Sequence, residues 1–141
     1  MQKRRVFVDS SVLIRGLLFE KTNSALILKM IRKKELTGVI NRKVVYEVLD
    51  VLKQIKDKDF ASLSFSFMHS TFEIVPEELY YEEMEKLRGQ IKEKDLEHLA
   101  AASSQGIVII AFDRDFDKVK NYFTPKKFLE SMSMKTYDTE Y

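Results

Sequence analysis

Ile107-Val108-Ile109-Ile110-Ala111-Phe112-Asp113 is the stretch that decides the fold. Six apolar residues without alternation, stopped by an acid, read as a strand buried on both faces. Such strands belong to parallel sheets covered by helices. On the amino side, Asp95 to Gln105 is an alanine-rich helix with Gly106 at the stop position. On the carboxyl side, Val119 to Phe123 is a weaker strand. Thr124-Pro125 then opens a last short helix through about Glu130. The tail from Ser131 carries no strong signal.

The same alternation runs back to the amino terminus. Arg5-Val6-Phe7-Val8 is a short apolar strand ended by Asp9. Val12 to Leu18 and Ala25 to Ile31 carry helical spacing, with Thr22-Asn23-Ser24 as cap candidates between them. Leu36 to Ile40 reads as a second strand. Asn41 caps a helix from Arg42 to about Ile55, striped by Val44, Val45, Val48, Leu49, Val51, Leu52 and Ile55. The next segment supports two readings. Ser64-Phe65-Ser66-Phe67 alternates as a strand does, whereas Phe60, Leu63 and Phe67 share a helical face. Helix to about Met68, then a strand over Thr71 to Val75, is the reading preferred. Pro76-Glu77-Glu78 starts a further helix that ends near Gly89. Strands alternating with helices predict an α/β domain with a mostly parallel sheet and helices on both faces. No repeat, low-complexity segment or domain boundary interrupts the chain, so its 141 residues are expected to form one domain.

Composition excludes several chemistries. The absence of cysteine removes disulfides, thiolate metal sites and cysteine nucleophiles, and is compatible with the reducing cytoplasm expected for this chain. The longest apolar run is far too short to span a membrane. The amino terminus lacks a secretory apolar stretch, because Asp9 interrupts it early. A serine–histidine–acid triad could draw only on His69 or His98, and neither has a serine elbow nearby. No Gly-rich loop with lysine is present for a nucleotide. The net charge of +2 conceals an asymmetry. Residues 1–53 hold twelve Lys/Arg against five Asp/Glu, a net +7, which leaves −5 for the remainder. A basic segment can steer a polyanion, but from charge alone a solvated lysine-rich face is the preferred reading.

The acids are more informative. Ligands of open parallel sheets sit beyond the carboxyl ends of the strands. Asp9 and Asp113 each end a strand there, and Asp115 follows two residues later. At about 100° per residue, Glu47 falls just outside the apolar arc of its helix, beside Val51, while Asp50 lies further out. Asp95, His98, Leu99 and Ala102 share one face of the alanine-rich helix. Each acid alone could be a cap, turn former or surface residue. Brought together they would repel one another, and a hard divalent cation would relieve that repulsion. All-oxygen sites of this kind suit phosphodiester chemistry.

These segments carry a resemblance to the PIN-domain ribonucleases, the family that includes the VapC-type toxins. Val6-Phe7-Val8-Asp9-Ser10-Ser11-Val12-Leu13-Ile14 is similar to the family's first strand, aspartate, hydroxyl residue and helix. Val44-Val45-Tyr46-Glu47-Val48-Leu49 resembles its second acidic position, and Asp95-Leu96-Glu97-His98-Leu99-Ala100 its third. Ile109-Ile110-Ala111-Phe112-Asp113-Arg114-Asp115-Phe116 resembles its fourth, and Phe123-Thr124-Pro125 its closing strand-to-helix turn. The similarity runs from about residue 4 to 130. Where family members often carry threonine two residues before the fourth aspartate, this chain has Ala111.

The resemblance implies a three-layer α/β/α sandwich around a sheet of about five strands, with the first and fourth strands adjacent. It implies a Mg²⁺- or Mn²⁺-dependent endoribonuclease. Asp9, Glu47, Asp95 and Asp113 would be the catalytic and metal-binding acids, with Asp115 a fifth ligand. Ser10 would contact a phosphate or a metal-held water. Arg15 and Lys43 would attract the RNA backbone. A small antitoxin partner and a homodimer are expected on the same ground. The competing reading is a non-catalytic module of the same fold that binds RNA or a protein. A haloacid-dehalogenase-type phosphatase is disfavoured, since Ser11 stands where that pattern needs a second acid. His98 is expected to be structural, packing or hydrogen-bonding beside Asp95.

Overall fold

A computed structural model of the chain describes residues 3–112 and 121–138. Among them are five strands, β1 (Arg5–Val8), β2 (Thr37–Ile40), β3 (Glu73–Ile74), β4 (Val108–Ile110) and β5 (Tyr122–Phe123). The helices are α1 (Ser10–Leu18), α2 (Asn23–Arg32), α3 (Arg42–Ile55), α4 (Lys58–Thr71), α5 (Tyr81–Leu87), α6 (Glu93–Ser104) and α7 (Pro125–Ser131). The strands form one sheet in the order β3-β2-β1-β4-β5, and every pairing is parallel. β1 and β4 are neighbours, with Val8 opposite Ile110. β1 is central, which is why Val6, Phe7 and Val8 are all fully buried and the strand shows no alternation.

The helices fall into two contact sets. α1, α2, α3, α4 and α7 pack in one series, while α5 packs on α6, which lies on β1 and β4 and touches α3. The sheet grows from β1 to β2 to β3 in one direction and from β1 to β4 to β5 in the other. Right-handed crossovers therefore place these sets on opposite faces, giving three layers. Helices that follow parallel strands run antiparallel to them, so the amino ends of α1 and α3 lie at the carboxyl edge of the sheet.

Local chemistry explains the boundaries. Thr22, Asn41, Asp57 and Thr124 each accept a backbone N–H through the side chain and so start α2, α3, α4 and α7. β4 is shorter than the apolar run that encodes it, because its partner β1 ends at Val8. The segment after Pro76 divides into a 3₁₀ turn over Glu77–Leu79 followed by α5. Burial and the neighbouring Glu97 raise the Tyr80 phenol pKa, and its hydroxyl donates to Glu97 at 3.0 Å. That bond ties the 3₁₀ turn to α6. The tail is also anchored. The buried Asn23 amide donates to the Tyr137 carbonyl at 3.0 Å and accepts the Tyr137 N–H at 2.7 Å.

Gly38 in β2 is required by packing. A Cβ there would lie 2.5 Å from the Phe72 ring and 3.0 Å from Ile31 Cδ1. Phe72 is buried against this strand. Gly38→Ala is expected to destabilise the domain by about 1–3 kcal/mol, read as a lower urea midpoint at unchanged slope.

Candidate functional site

A cleft of about 350 Å³ opens at the carboxyl edge of the sheet, lined by Asp9, Ser10, Ser11, Glu47, Lys94, Asp95, His98 and Phe112. Three of the sequence-predicted acids therefore meet. Asp9 reaches the cleft from the end of β1, Glu47 from the second turn of α3 and Asp95 from the first turn of α6. Asp113 and Asp115 lie outside the described residues, as do Val119 and Lys120 of the expected last strand.

Each acid is also held by its helix. Asp9 is the N-cap of α1, and its Oδ2 accepts the Ser11 hydroxyl at 2.5 Å and the Ser11 N–H at 3.3 Å. One oxygen is thus fixed while the other stays toward the cleft side, 3.7 Å from His98 Nε2. Asp95 is 7% exposed and sits in the first turn of α6, three residues after the N-cap Lys92. The positive end of the helix dipole favours its charge there. Burial alone would raise the Glu47 carboxyl pKa. The His98 hydrogen bond, the Ser10 hydroxyl and the Lys43 ammonium outweigh burial and hold it below the ordinary 4.5. Glu47 is therefore ionised at neutral pH.

His98 is buried, as expected of a structural histidine. Its Nε2 lies 2.7 Å from Glu47 Oε1, and its Nδ1 lies 3.2 Å from the Asn41 amide nitrogen. Helical spacing places it on the buried face of α6; it cannot reveal partners on α3.

The expected cations divide. Lys43 reaches the cleft rim, where its Nζ donates to the Lys94 carbonyl at 2.8 Å. Lys94 lines the cleft itself and was not singled out from the sequence. Arg15 lies in the last turn of α1 over the Phe19 ring and does not line the cleft. Most of the basic amino-terminal third is elsewhere. Lys3, Arg4 and Arg5 precede or open β1, and Arg32, Lys33 and Lys34 precede β2. These groups sit at the amino edge, opposite the cleft. Ser10, expected at a phosphate or a water, lines the cleft, and its hydroxyl helps lower the Glu47 pKa.

The donor chemistry fits a hard cation. Asp9, Glu47 and Asp95 offer only oxygen, and two of the three are buried. Among the described residues no three His, Asp or Glu groups converge closely enough to hold a metal by themselves. Mg²⁺ does not require that, because it keeps several waters and takes one or two carboxylates plus substrate phosphate.

Comparison with known proteins gives the context. The profile of the PIN domain family matches residues 6–122. No curated protein matches the chain in sequence. Solved structures do resemble it. A toxin–antitoxin complex from Klebsiella pneumoniae aligns at 20% identity and a TM-score of 0.69, covering 85% of this chain and 97% of that one. The VapC20 toxin of Mycobacterium tuberculosis, described as cleaving the sarcin–ricin loop, aligns at 18% identity and a TM-score of 0.62, over 82% and 95%. VapBC2 from Rickettsia felis, bound to promoter DNA, aligns at 16% identity and a TM-score of 0.64, over 85% and 96%. At these identities the structures share the fold.

Proposed function

This chain belongs to the PIN domain family, and from that premise we propose that it is a divalent-metal-dependent endoribonuclease, the toxin of a toxin–antitoxin pair. The observation that carries the reading is the convergence of Asp9, Glu47 and Asp95 on one solvent-open cleft. Asp9, Glu47 and Asp95 would hold Mg²⁺ or Mn²⁺, with Asp113 and Asp115 as further ligands. Such an ion supplies the positive charge that activates water and offsets charge on the phosphate.

The chain's own groups do the rest. The ionised Glu47 orients the attacking water. Lys43 and Lys94 draw the RNA backbone to the cleft. A small antitoxin would neutralise the enzyme by covering the cleft. A homodimer would cover the exposed Tyr46, Leu63 and Phe65 on α3 and α4. Among the described residues no helix is long and apolar enough to cross a membrane.

The test is cleavage of a labelled single-stranded RNA in Mn²⁺ or Mg²⁺ and in excess EDTA. Cleavage abolished by EDTA is expected. Tight RNA binding with no cleavage in either metal would replace this reading with the non-catalytic module.

A further inference from the structure

His98 is 2% exposed, and its ring packs on the Phe7 ring at 5.8 Å between centroids. Asn41 beside it is fully buried. As the N-cap of α3, Asn41 spends its Oδ1 on the Val44 N–H at 2.9 Å. That bond fixes which way the amide points, so the NH₂ group faces His98 Nδ1 at 3.2 Å. An amide NH₂ can only donate. Nδ1 must therefore present its lone pair, and the ring proton must sit on Nε2. From there it is aimed at Glu47 Oε1, 2.7 Å away. The 3.7 Å separation from Asp9 is too long for a hydrogen bond, so the N–H is committed to Glu47.

We propose that His98 is a positioning residue for Glu47, locked by Asn41 in the Nε2–H tautomer so that its ring N–H fixes the Glu47 carboxylate in the cleft. The proposal rests on the nuclease reading above and adds the device that orients its water-handling acid. Glu47 needs such a device. Its side chain is 38% exposed and sits at the edge of the α3 stripe, where a glutamate would otherwise sample several rotamers. A ring N–H held by a buried, packed imidazole orients the carboxylate from one side and leaves its other oxygen for the cleft. The helix cap thus sets the tautomer, and the tautomer sets the acid. Asn41, His98 and Glu47 come from a cap, a buried helix face and a stripe edge, 57 and 51 positions apart.

Two arms test this. The first needs no activity. The chain has two histidines, and His69 is exposed, so long-range ¹H–¹⁵N correlation spectra can assign both rings. At neutral pH the His98 ring is expected to show a protonated Nε2 and a bare Nδ1. Asn41→Asp keeps an oxygen for Val44 but offers Nδ1 an acceptor, and is expected to move a proton onto Nδ1. A wild-type ring protonated on Nδ1 overturns the proposal, whether or not the protein cleaves RNA.

The second arm reads kinetics. His98→Gln can place an N–H where Nε2 stood; His98→Asn cannot reach. His98→Asn is expected to lower kcat by about 10–100-fold with KM for RNA little changed, while His98→Gln retains most of it and both melt alike. Equal losses in the two variants would reduce His98 to packing. A wild type that cleaves nothing but shows the Nε2–H ring would reject the nuclease reading alone.

Discussion

Asp95→Asn is expected to lower RNA cleavage by about 10²–10⁴-fold while leaving the fold intact. The asparagine has the same shape and fills the same 7%-exposed position in the first turn of α6. What it removes is one negative charge and one carboxylate oxygen from a cleft where Asp9 and Glu47 remain. The structural cost is small and has two opposing parts. Losing an anion at a helix amino end costs about 0.3–1 kcal/mol. Removing one of three clustered carboxylates relieves repulsion and returns part of that. Rate and stability therefore separate in this variant. The measurement is kcat/KM on a labelled RNA in Mn²⁺, beside a thermal melt. Asp50→Asn is the matched control, since Asp50 is exposed on α3 away from the cleft and should change neither. A repurified Asp95→Asn protein that cleaves at the wild-type rate would remove Asp95 from the site.

The parts of this molecule that were legible in its sequence are those whose cause is local. β1 ends where Asp9 caps α1, and α3 starts at Asn41, because caps act within three residues. The parallel sheet was legible because a strand buried on both faces has no alternation to disguise it. The α4–β3 segment was ambiguous because α4 buries only Ala61, Ser64 and Met68 while leaving Leu63 and Phe65 exposed, so no clean stripe appears. The convergence of Asp9, Glu47 and Asp95 followed from strand ends and helix faces, given the sheet order that the family resemblance implied. The role of His98 did not follow. Its burial is periodic, but its hydrogen bonds cross between helices that nothing in a linear pattern joins. The charge asymmetry does not locate the cleft. Residues adjacent in sequence at strand starts are carried to the edge away from the cleft. Lys94, from the acidic remainder of the chain, lies in the cleft.

Phe7→Ala should damage both stability and activity. Phe7 is fully buried in the central strand, and losing such a ring costs about 3–5 kcal/mol. That is a large fraction of the roughly 5–15 kcal/mol that holds a domain together, and corresponds to a fall in Tm of roughly 10–15 °C at this size. Phe128→Ala provides the comparison. Phe128 is equally buried but packs on Phe123 of the edge strand β5 and on Arg4, and its truncation should cost a similar amount. The two differ in what borders the cavity. Beside Phe7 it is the His98 ring, which then loses the surface that holds it against Asn41 and Glu47. Assayed well below either melting temperature, Phe7→Ala should lose kcat as well as stability, whereas Phe128→Ala should lose stability alone. Equal kcat in the two folded variants would show that the aromatic floor beneath His98 does not contribute to orienting the site.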